Sequence, residues 1–316
     1  MPTPPLTCVL IVTWRGAAHI TDCLDALAAQ DRPHRTIVVD NASDDGTAEL
    51  IAAHRSEPEV IRVPENLGYA GGISAGLAHV DTPFVAWLND DAAPHEGWLA
   101  ELEGALLADS SVAAAGARLM YPDGSLQSTG VRLTADGHGA DLNDAAASAA
   151  PYEVFGFCGG AALVRTEALR AVGGVPAEFF CYYEDTDTSW RLRLAGWRVL
   201  SVPAAGVRHA HGASSRPGSA EFHLWNERNR LLMLLRCAPA AIAVRELARF
   251  IAITVLLPIR GVRSSGAAGR APNLQLRLRL RALAGVLALL PGTLRARRAV
   301  RTTLGRGEVW RRWAAG

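Results

Sequence analysis

Thr7-Cys8-Val9-Leu10-Ile11-Val12-Thr13-Trp14 is followed by a helix-patterned stretch from about His19 to Gln30, and then by Thr36-Ile37-Val38-Val39-Asp40. Short, continuous apolar runs alternating with helical periods are the βαβ rhythm of a parallel sheet, whose strands are buried on both faces. The rhythm continues through a helix from about Gly46 to His54, a strand near Val60 to Val63, a helix from about Ala70 to His79, and the run Pro83-Phe84-Val85-Ala86-Trp87-Leu88. Strands end in polar residues: Thr13 after the first, Asp40-Asn41 after the second, Asn89-Asp90-Asp91 after the fourth. In open α/β sheets ligands sit outside the carboxyl ends of the strands. These clusters are therefore expected to meet in one crevice.

Downstream, residues 135–150 are small and without apolar period, and read as a mobile loop. Tyr152 to Val164 reads as strand, Thr166 to Val172 as a short helix stopped by Gly173-Gly174, and Thr186 to Leu194 as a helix stopped by Gly196. From about Phe222 onward the pattern is helix after helix, which sets an expected division into residues 1–221 and 222–316. The chain of 316 residues, 49% hydrophobic, is long enough for one large α/β domain with an appendage and is not disordered.

The formal charge of +1 conceals an asymmetry. From Ala240 to Gly316 there are 15 arginines against Glu246 and Glu308, so the rest of the chain is net acidic. A basic tail on an acidic body points to an anionic surface as partner. Lysine is absent, and nothing functional follows from that. Cys8, Cys23, Cys158, Cys181 and Cys237 are odd in number and form no Cys-x-x-Cys, which reads as reduced, cytosolic and not a zinc site. Met1 to Leu6 lacks the basic and apolar regions of a signal peptide.

Five segments could carry chemistry, and each has a plain alternative. Val38-Val39-Asp40-Asn41-Ala42-Ser43-Asp44-Asp45-Gly46-Thr47 puts a carboxylate at a strand end, though Asp40 alone reads as a turn residue. Asn66-Leu67-Gly68-Tyr69-Ala70-Gly71-Gly72 is a glycine-rich approach to a helix N-terminus, where free N–H groups can meet phosphate. Asn89-Asp90-Asp91 offers hard oxygen ligands suited to Mg²⁺ or Mn²⁺, or else caps the next helix. Glu184, Asp185 and Asp187 follow an aromatic run whose walls could tune a general base, or else they cap the helix behind them. His209 and His211 share one face of a strand, as a ligand and its neighbour or as a surface pair.

Taken in this order, the five segments resemble the family 2 glycosyltransferases of the GT-A fold, and within them the bacterial rhamnosyltransferase-like branch. The resemblance runs from about Thr7 to Ser214. Val38 to Thr47 meets the family's V-V-D-N-x-S-x-D-G-T without a break, Asn66 to Gly72 its N-x-G-(F/Y)-A-G-G, and Gly173 to Arg191 its G-G-x-x-x-x-(F/Y)-F-x-Y-x-E-D-x-D-x-x-x-R.

The resemblance implies a Rossmann-like mixed sheet with a C-terminal helical extension, and a metal-dependent, inverting hexosyl transfer. The expected donor is a dTDP- or UDP-sugar and the expected cofactor Mg²⁺ or Mn²⁺. Asp40, with Asn41 beside it and Thr13 in the same pocket, would contact base or ribose. Asn66, Gly68 and Gly72 would approach the phosphates. Asn89 and Asp90 stand in the D-x-D-type element, which here begins with Asn, so metal binding falls to Asp91 with Asp90 second. Asp185 matches the catalytic base. His209 matches a histidine that contacts metal or diphosphate, with His211 as second choice.

The tail stretch Ala240 to Ile259 is apolar but interrupted by Arg245, Glu246 and Arg249, and its uninterrupted part is too short to span a bilayer. Ala282 to Leu290 lies between Arg277, Arg279, Arg281 and Arg295, Arg297, Arg298. That pattern suits a helix lying in an anionic membrane interface, as on the inner face of a cell membrane beside a polyprenyl-linked glycan acceptor. The alternatives are packing on the catalytic body or a homodimer contact. Aromatic platforms beside the arginines are few, so nucleic acid is not the expected partner. Two rivals to glycosyl transfer are a non-catalytic nucleotide-sugar-binding regulator and a nucleotidyltransferase. Trp14 to His19 is a poor match to the basic, glycine-rich loop of the latter.

Overall fold

The computed structural model describes residues 4–143, 150–210, 218–259 and 272–314. Its first half contains β1 (Thr7–Thr13), α1 (Ile20–Ala28), β2 (His34–Asp40), α2 (Thr47–Ala52), β3 (Glu59–Arg62), α3 (Gly68–Leu77), β4 (Phe84–Asn89), β5 (Ala92–Pro94), α4 (Trp98–Ala108) and β6 (Val112–Met120). Four short strands follow: β7 (Leu126–Ser128), β8 (Val131–Leu133), β9 (Gly139–Asp141) and β10 (Tyr152–Glu153). The remainder is β11 (Ala161–Arg165), α5 (Thr166–Ala171), α6 (Glu184–Leu194), β12 (Arg198–His209), α7 (Ala220–Cys237), α8 (Ala240–Ile259), α9 (Leu276–Ala299) and α10 (Arg306–Trp313).

The main sheet runs β10-β12-β6-β11-β4-β1-β2-β3, with β5 on β12 and β7 on β6. β1 pairs in parallel with β2 and β4, β2 with β3, and β12 with β6, whereas β11 is antiparallel between β4 and β6. The sheet is therefore mixed, and β1, β2, β4 and β12 all end at the same edge. Register completes the convergence, because Thr13 lies opposite Asp40 and Val12 opposite Asn89.

Every residue of β1 is buried, as its unbroken apolar run requires. Alternate side chains serve two cores: Val9 and Ile11 pack with Leu24, Leu99 and Leu102 on one face, and Leu10 and Val12 with Ile73, Leu169 and Phe179 on the other.

The stretch expected as one strand from Tyr152 to Val164 is two, β10 and β11, joined by an extended loop. Glycine is the cause. A Cβ on Gly156 would stand 2.8 Å from Ser189, and one on Gly159 would stand 3.3 Å from Asp185, so the loop presses directly on α6. Within the loop expected at 135–150, Gly139–Asp141 form β9 against β8; residues 144–149 lie outside the described residues. His211 also lies outside them. The helix expected from Thr186 begins at Glu184, after Tyr183 in a left-handed conformation (φ 70°), which places Asp185 in its first turn.

The C-terminal helices share the core of the sheet: Leu231, Leu234, Ala282 and Val309 belong to the same apolar cluster as Leu10 and Trp87. Arg236 of α7 reaches Asp187 of α6 at 3.1 Å and also pairs with Glu178. Trp310 stacks on Trp190, with ring centroids 5.9 Å apart. Several arginines of the tail turn inward to carbonyl oxygens, at the C-terminal end of α7 or, for Arg279, within α8. Arg306 donates to Arg236 and Cys237, Arg297 to Leu235 and Ala238, and Arg279 to Phe250.

Candidate active site

A cavity of about 430 Å³ opens where the strand ends converge, lined among others by Asn89, Asp90, Asp91, Gln127, Glu184, Asp185 and His209. Six of these seven come from β4, α6 and β12 or the residues just after β4; Gln127 comes from β7. A larger cavity of about 610 Å³ lies beside α5, but the guanidinium of its Arg165 is spent on the carbonyls of Val112 and Leu106, and it gathers no comparable set of groups.

On the acid side, Asp185 Oδ2 accepts the Gly159 N–H at 2.8 Å. Its Oδ1 accepts the N–H of Thr186 and, at 3.0 Å, the Thr186 hydroxyl. Tyr69 donates its hydroxyl to Gly159 O at 2.6 Å, so the Gly159 peptide is held from both ends. Burial pushes the Asp185 carboxyl above its ordinary value, against the pull of these donors. Glu184 is also pushed up, first by burial and then by the charge of Asp185. Its Oε2 has no hydrogen-bond partner among the described residues. Three donors favour the charged form of Asp185 while Glu184 Oε2 has none among the described residues, so of the two Glu184 is the one that protonates more readily. Asp187, the third acid of the segment, instead pairs with Arg191 at 2.7 Å and with Arg236.

Opposite these, His209 Nε2 lies 3.1 Å from Asp91 Oδ1 and 3.0 Å from Asn89 Nδ2, while its Nδ1 lies 2.9 Å from Gln127 Oε1. The amide oxygen of Gln127 only accepts, so Nδ1 carries the hydrogen; the amide nitrogen of Asn89 only donates, so Nε2 carries a lone pair. Nε2 and Asp91 Oδ1 stand side by side at 3.1 Å, an imidazole nitrogen and a carboxylate oxygen close enough to serve one divalent ion. Among the described residues no group of three or more His, Cys, Asp or Glu forms a complete cage. A partial set fits Mg²⁺ or Mn²⁺, which take their remaining ligands from water and substrate phosphates.

Asp90 points the other way. It accepts the Thr13 hydroxyl at 2.6 Å, and burial pushes its carboxyl up to about 7. Both groups close over Gly16, where a Cβ would stand 2.2 Å from Thr13 Oγ1 and 2.4 Å from Asp90 Oδ2. Asp40, fully buried beside Thr13, accepts the Ser43 N–H through Oδ1 at 2.9 Å. Its Oδ2 has no hydrogen-bond partner among the described residues and lies 3.6 Å from Arg62 Nε. Asn66 Oδ1 takes the Gly68 N–H at 2.8 Å, and Asn41 Nδ2 donates to Gly68 O at 3.0 Å. A Cβ on Gly68 would stand 2.2 Å from Phe180 O, and one on Gly72 would stand 2.5 Å from Val12. Asn89, Asp90, Asp91, Asp185 and His209 thus share one cavity, Thr13, Asp40 and Asn41 flank it along the sheet edge, and Asn66, Gly68 and Gly72 join α3 to that edge.

Gln127, Tyr69 and Gly16 were not singled out in the sequence as site residues. Tyr69 lies inside the Asn66–Gly72 segment, Gly16 follows β1, and Gln127 carries no local signal.

A mixed sheet of this order, gathering carboxylates and a histidine at the ends of its parallel strands, defines the class: a GT-A glycosyltransferase. Residues 8–173, more than half of the chain, match glycosyl transferase family 2, and the protein belongs to that family. It is 34% identical over 201 residues to the pre-mycofactocin glycosyltransferase of Mycobacterium tuberculosis, a match covering 61% of this chain and only 41% of that protein. It is 29% identical over 241 residues to the N-acetylglucosaminyl-diphospho-decaprenol L-rhamnosyltransferase of the same organism, covering 67% of this chain and 78% of that one. The mannosyltransferase PcManGT from Pyrobaculum calidifontis, solved with GDP-Man and Mn²⁺, superposes with a TM-score of 0.53 at 21% identity, over 92% of this chain and 76% of that one. S. aureus TarS 1-349 with UDP-GlcNAc gives a TM-score of 0.53 at 17% identity, over 92% and 91%. These superpositions show the fold.

Proposed function

We propose that this glycosyltransferase moves a rhamnosyl or other hexosyl group from a dTDP- or UDP-sugar to an acceptor hydroxyl with inversion at the anomeric carbon. The observation that carries this is the placement, within one cavity, of Asp185 and the Asp91–His209 pair. Asp185 draws the proton from the acceptor hydroxyl as that oxygen attacks the anomeric carbon. The neutral Glu184 beside it adds no second charge. Asp91 and His209 would hold Mg²⁺ or Mn²⁺, which when bound supplies Lewis-acid neutralisation of the leaving diphosphate.

Asp40 Oδ2, which has no hydrogen-bond partner among the described residues, suits an N–H of the base or a ribose hydroxyl. Thr13 and Asp90 form the neighbouring wall, and Asn66, Gly68 and Gly72 act by holding Asn41 against it. Residues 1–221 form the catalytic part and 222–316 the helical part.

The acceptor is a glycan, of the polyprenyl-linked kind named for the rhamnosyltransferase relative. It is met at an anionic membrane surface on the cytoplasmic side. Among the described residues no helix is long and apolar enough to cross a membrane. α8 nevertheless exposes Val244, Ile251 and Val255, and α9 exposes Leu276, Leu280, Leu287 and Leu294, each set along one stripe. Arg277, Arg281, Arg295 and Arg298 are exposed beside them.

A panel of nucleotide sugars, scored by Mn²⁺-dependent thermal stabilisation and slow hydrolysis, identifies the donor, and NMR of the product reads the anomeric configuration. Retention would overturn the single displacement, and a panel with no stabilisation would overturn the donor class.

A further inference from the structure

We propose that Gln127 is a positioning residue for His209, holding its imidazole in the tautomer and plane that turn Nε2 toward Asp91. The inference rests on Asp91 and His209 being the cation-binding pair.

Gln127 belongs to β7, which pairs antiparallel with β6 through Leu119 opposite Ser128 and Met120 opposite Leu126. Two successive residues of β6 therefore face three of β7, and Gln127 is the extra one, a bulge residue. A bulge gives up regular pairing and re-aims a side chain, and such irregularities gather beside active sites. The same end of β6 pairs with β12, with Leu119 opposite Val207 and Met120 opposite Arg208, so His209 emerges one residue beyond. The bulge thus delivers the Gln127 amide to the ring it meets at 2.9 Å.

The contact is well suited to orientation. Gln127 is 5% exposed and His209 4%, so water does not readily replace either partner. An amide oxygen on Nδ1 settles the tautomer in favour of an Nε2 lone pair, and it also pins rotation about the last side-chain bond. Nε2 then faces Asp91 Oδ1 at 3.1 Å, with Asn89 Nδ2 alongside at 3.0 Å. Metal-binding histidines commonly donate their second ring N–H to an oxygen acceptor, and loss of that acceptor costs about 10- to 100-fold in metal affinity.

Mn²⁺ binding followed by electron paramagnetic resonance, with UDP alone as the nucleotide, tests the proposal on wild type, Gln127→Leu, Gln127→Glu and Asp91→Asn. Gln127→Leu should weaken Mn²⁺ about 10- to 100-fold, and Gln127→Glu, which keeps an acceptor at Nδ1, should stay within about threefold of wild type. Long-range ¹H–¹⁵N spectra of the metal-free wild type should show His209 protonated at Nδ1, with Gln127→Leu losing that uniform tautomer. If wild type binds Mn²⁺ and Asp91→Asn does not, unchanged affinity in a folded Gln127→Leu overturns the role of Gln127 alone. An Nε2-protonated His209 in wild type does the same. Should Gln127→Leu not fold, Gln127→Glu decides, because weakened Mn²⁺ binding there also overturns it. Binding that is absent from wild type, or unaffected in Asp91→Asn, overturns the cation pair itself and the proposal with it.

Discussion

Gly159 donates its N–H to Asp185 Oδ2 at 2.8 Å while its own carbonyl accepts the Tyr69 hydroxyl at 2.6 Å, so the residue that donates to Asp185 is itself tied to α3. A Cβ on Gly159 would stand 3.3 Å from the carboxylate, tighter than ordinary packing. The loop between β10 and β11 is the backbone wall against which the Asp185 carboxyl rests.

Asp185→Asn keeps the shape and removes the base. Transfer should fall by about 10²- to 10⁴-fold, the range for loss of a general base. Binding of the nucleotide, followed by calorimetry, should be unchanged. Equal loss of binding and turnover would place Asp185 in the donor site rather than at the acceptor hydroxyl.

The Glu184–Asp185 pair predicts a particular pH dependence of stability. Glu184 has its folded-state carboxyl raised by burial and by Asp185, to about 8. A raised carboxyl stabilises the fold while protonated: its contribution is fully present below the ordinary glutamate value of about 4.3 and is lost as pH rises through the folded one. Glu184→Gln cannot ionise. The melting temperature of wild type minus that of Glu184→Gln should therefore decline from about pH 5 to about pH 8. A flat difference would mean that Glu184 is solvated. The acid limb of the rate profile should likewise lie above the usual carboxylate range, since it reports ionisation of the pair.

Gly16→Ala should damage the donor side without touching the base. Its methyl would meet Thr13 Oγ1 at 2.2 Å and Asp90 Oδ2 at 2.4 Å, displacing the Thr13–Asp90 hydrogen bond. Overpacking of this kind costs about 1–3 kcal/mol. Nucleotide affinity should drop together with the denaturation midpoint. A variant with wild-type affinity would detach the Thr13–Asp90 wall from nucleotide binding.

Much of this site was legible along the chain, and the failures share a cause. Thr13, Asp40, Asn89 and Asp91 were readable because each follows an apolar run that can only be a buried strand, and parallel strands bring their ends together. Asp185 was marked out by the Glu184-Asp185 step of the family pattern, since an acid after an aromatic run caps a helix as readily as it serves as a base. Gln127 was not, because its placement depends on the pairing offset between β6 and β7, which leaves no periodic trace. Gly16 was hidden because its constraint is a close approach to Asp90, far away in sequence. The tail was half readable. Its arginines can be counted in the sequence but not aimed, and Arg279, Arg297 and Arg306 turn inward to carbonyl oxygens.

Arg236 tests how far the helical region supports the catalytic part. It is 4% exposed and joins α7 to Asp187 on the helix that carries Asp185. Arg236→Met should cost about 3–5 kcal/mol, because removing one member of a buried pair strands part of the other's charge. Arg191 remains on Asp187 at 2.7 Å, so the loss should sit toward the lower end of that range. Urea denaturation of the variant measures it, and a change near zero would mean that α7 adds little to α6.

Membrane attachment calls for surface substitutions rather than truncation. Deleting the chain after about residue 240 would also remove Ala282, Val286 and Val309 from the core, along with the stacking of Trp310 on Trp190. Loss of binding in such a fragment would follow from unfolding as readily as from loss of a docking face. Val255→Glu with Leu287→Glu places charge on the exposed stripes of α8 and α9 without touching packed residues. Flotation with vesicles containing anionic lipid should fall sharply in this double variant, with melting temperature unchanged. Burying apolar side chains in the interface contributes independently of headgroup charge, so wild-type flotation should weaken with salt without vanishing. Flotation of the double variant equal to wild type would show that the stripes face something other than lipid. A second copy of the chain would then show itself as a concentration-dependent dimer in sedimentation, abolished by the same two substitutions.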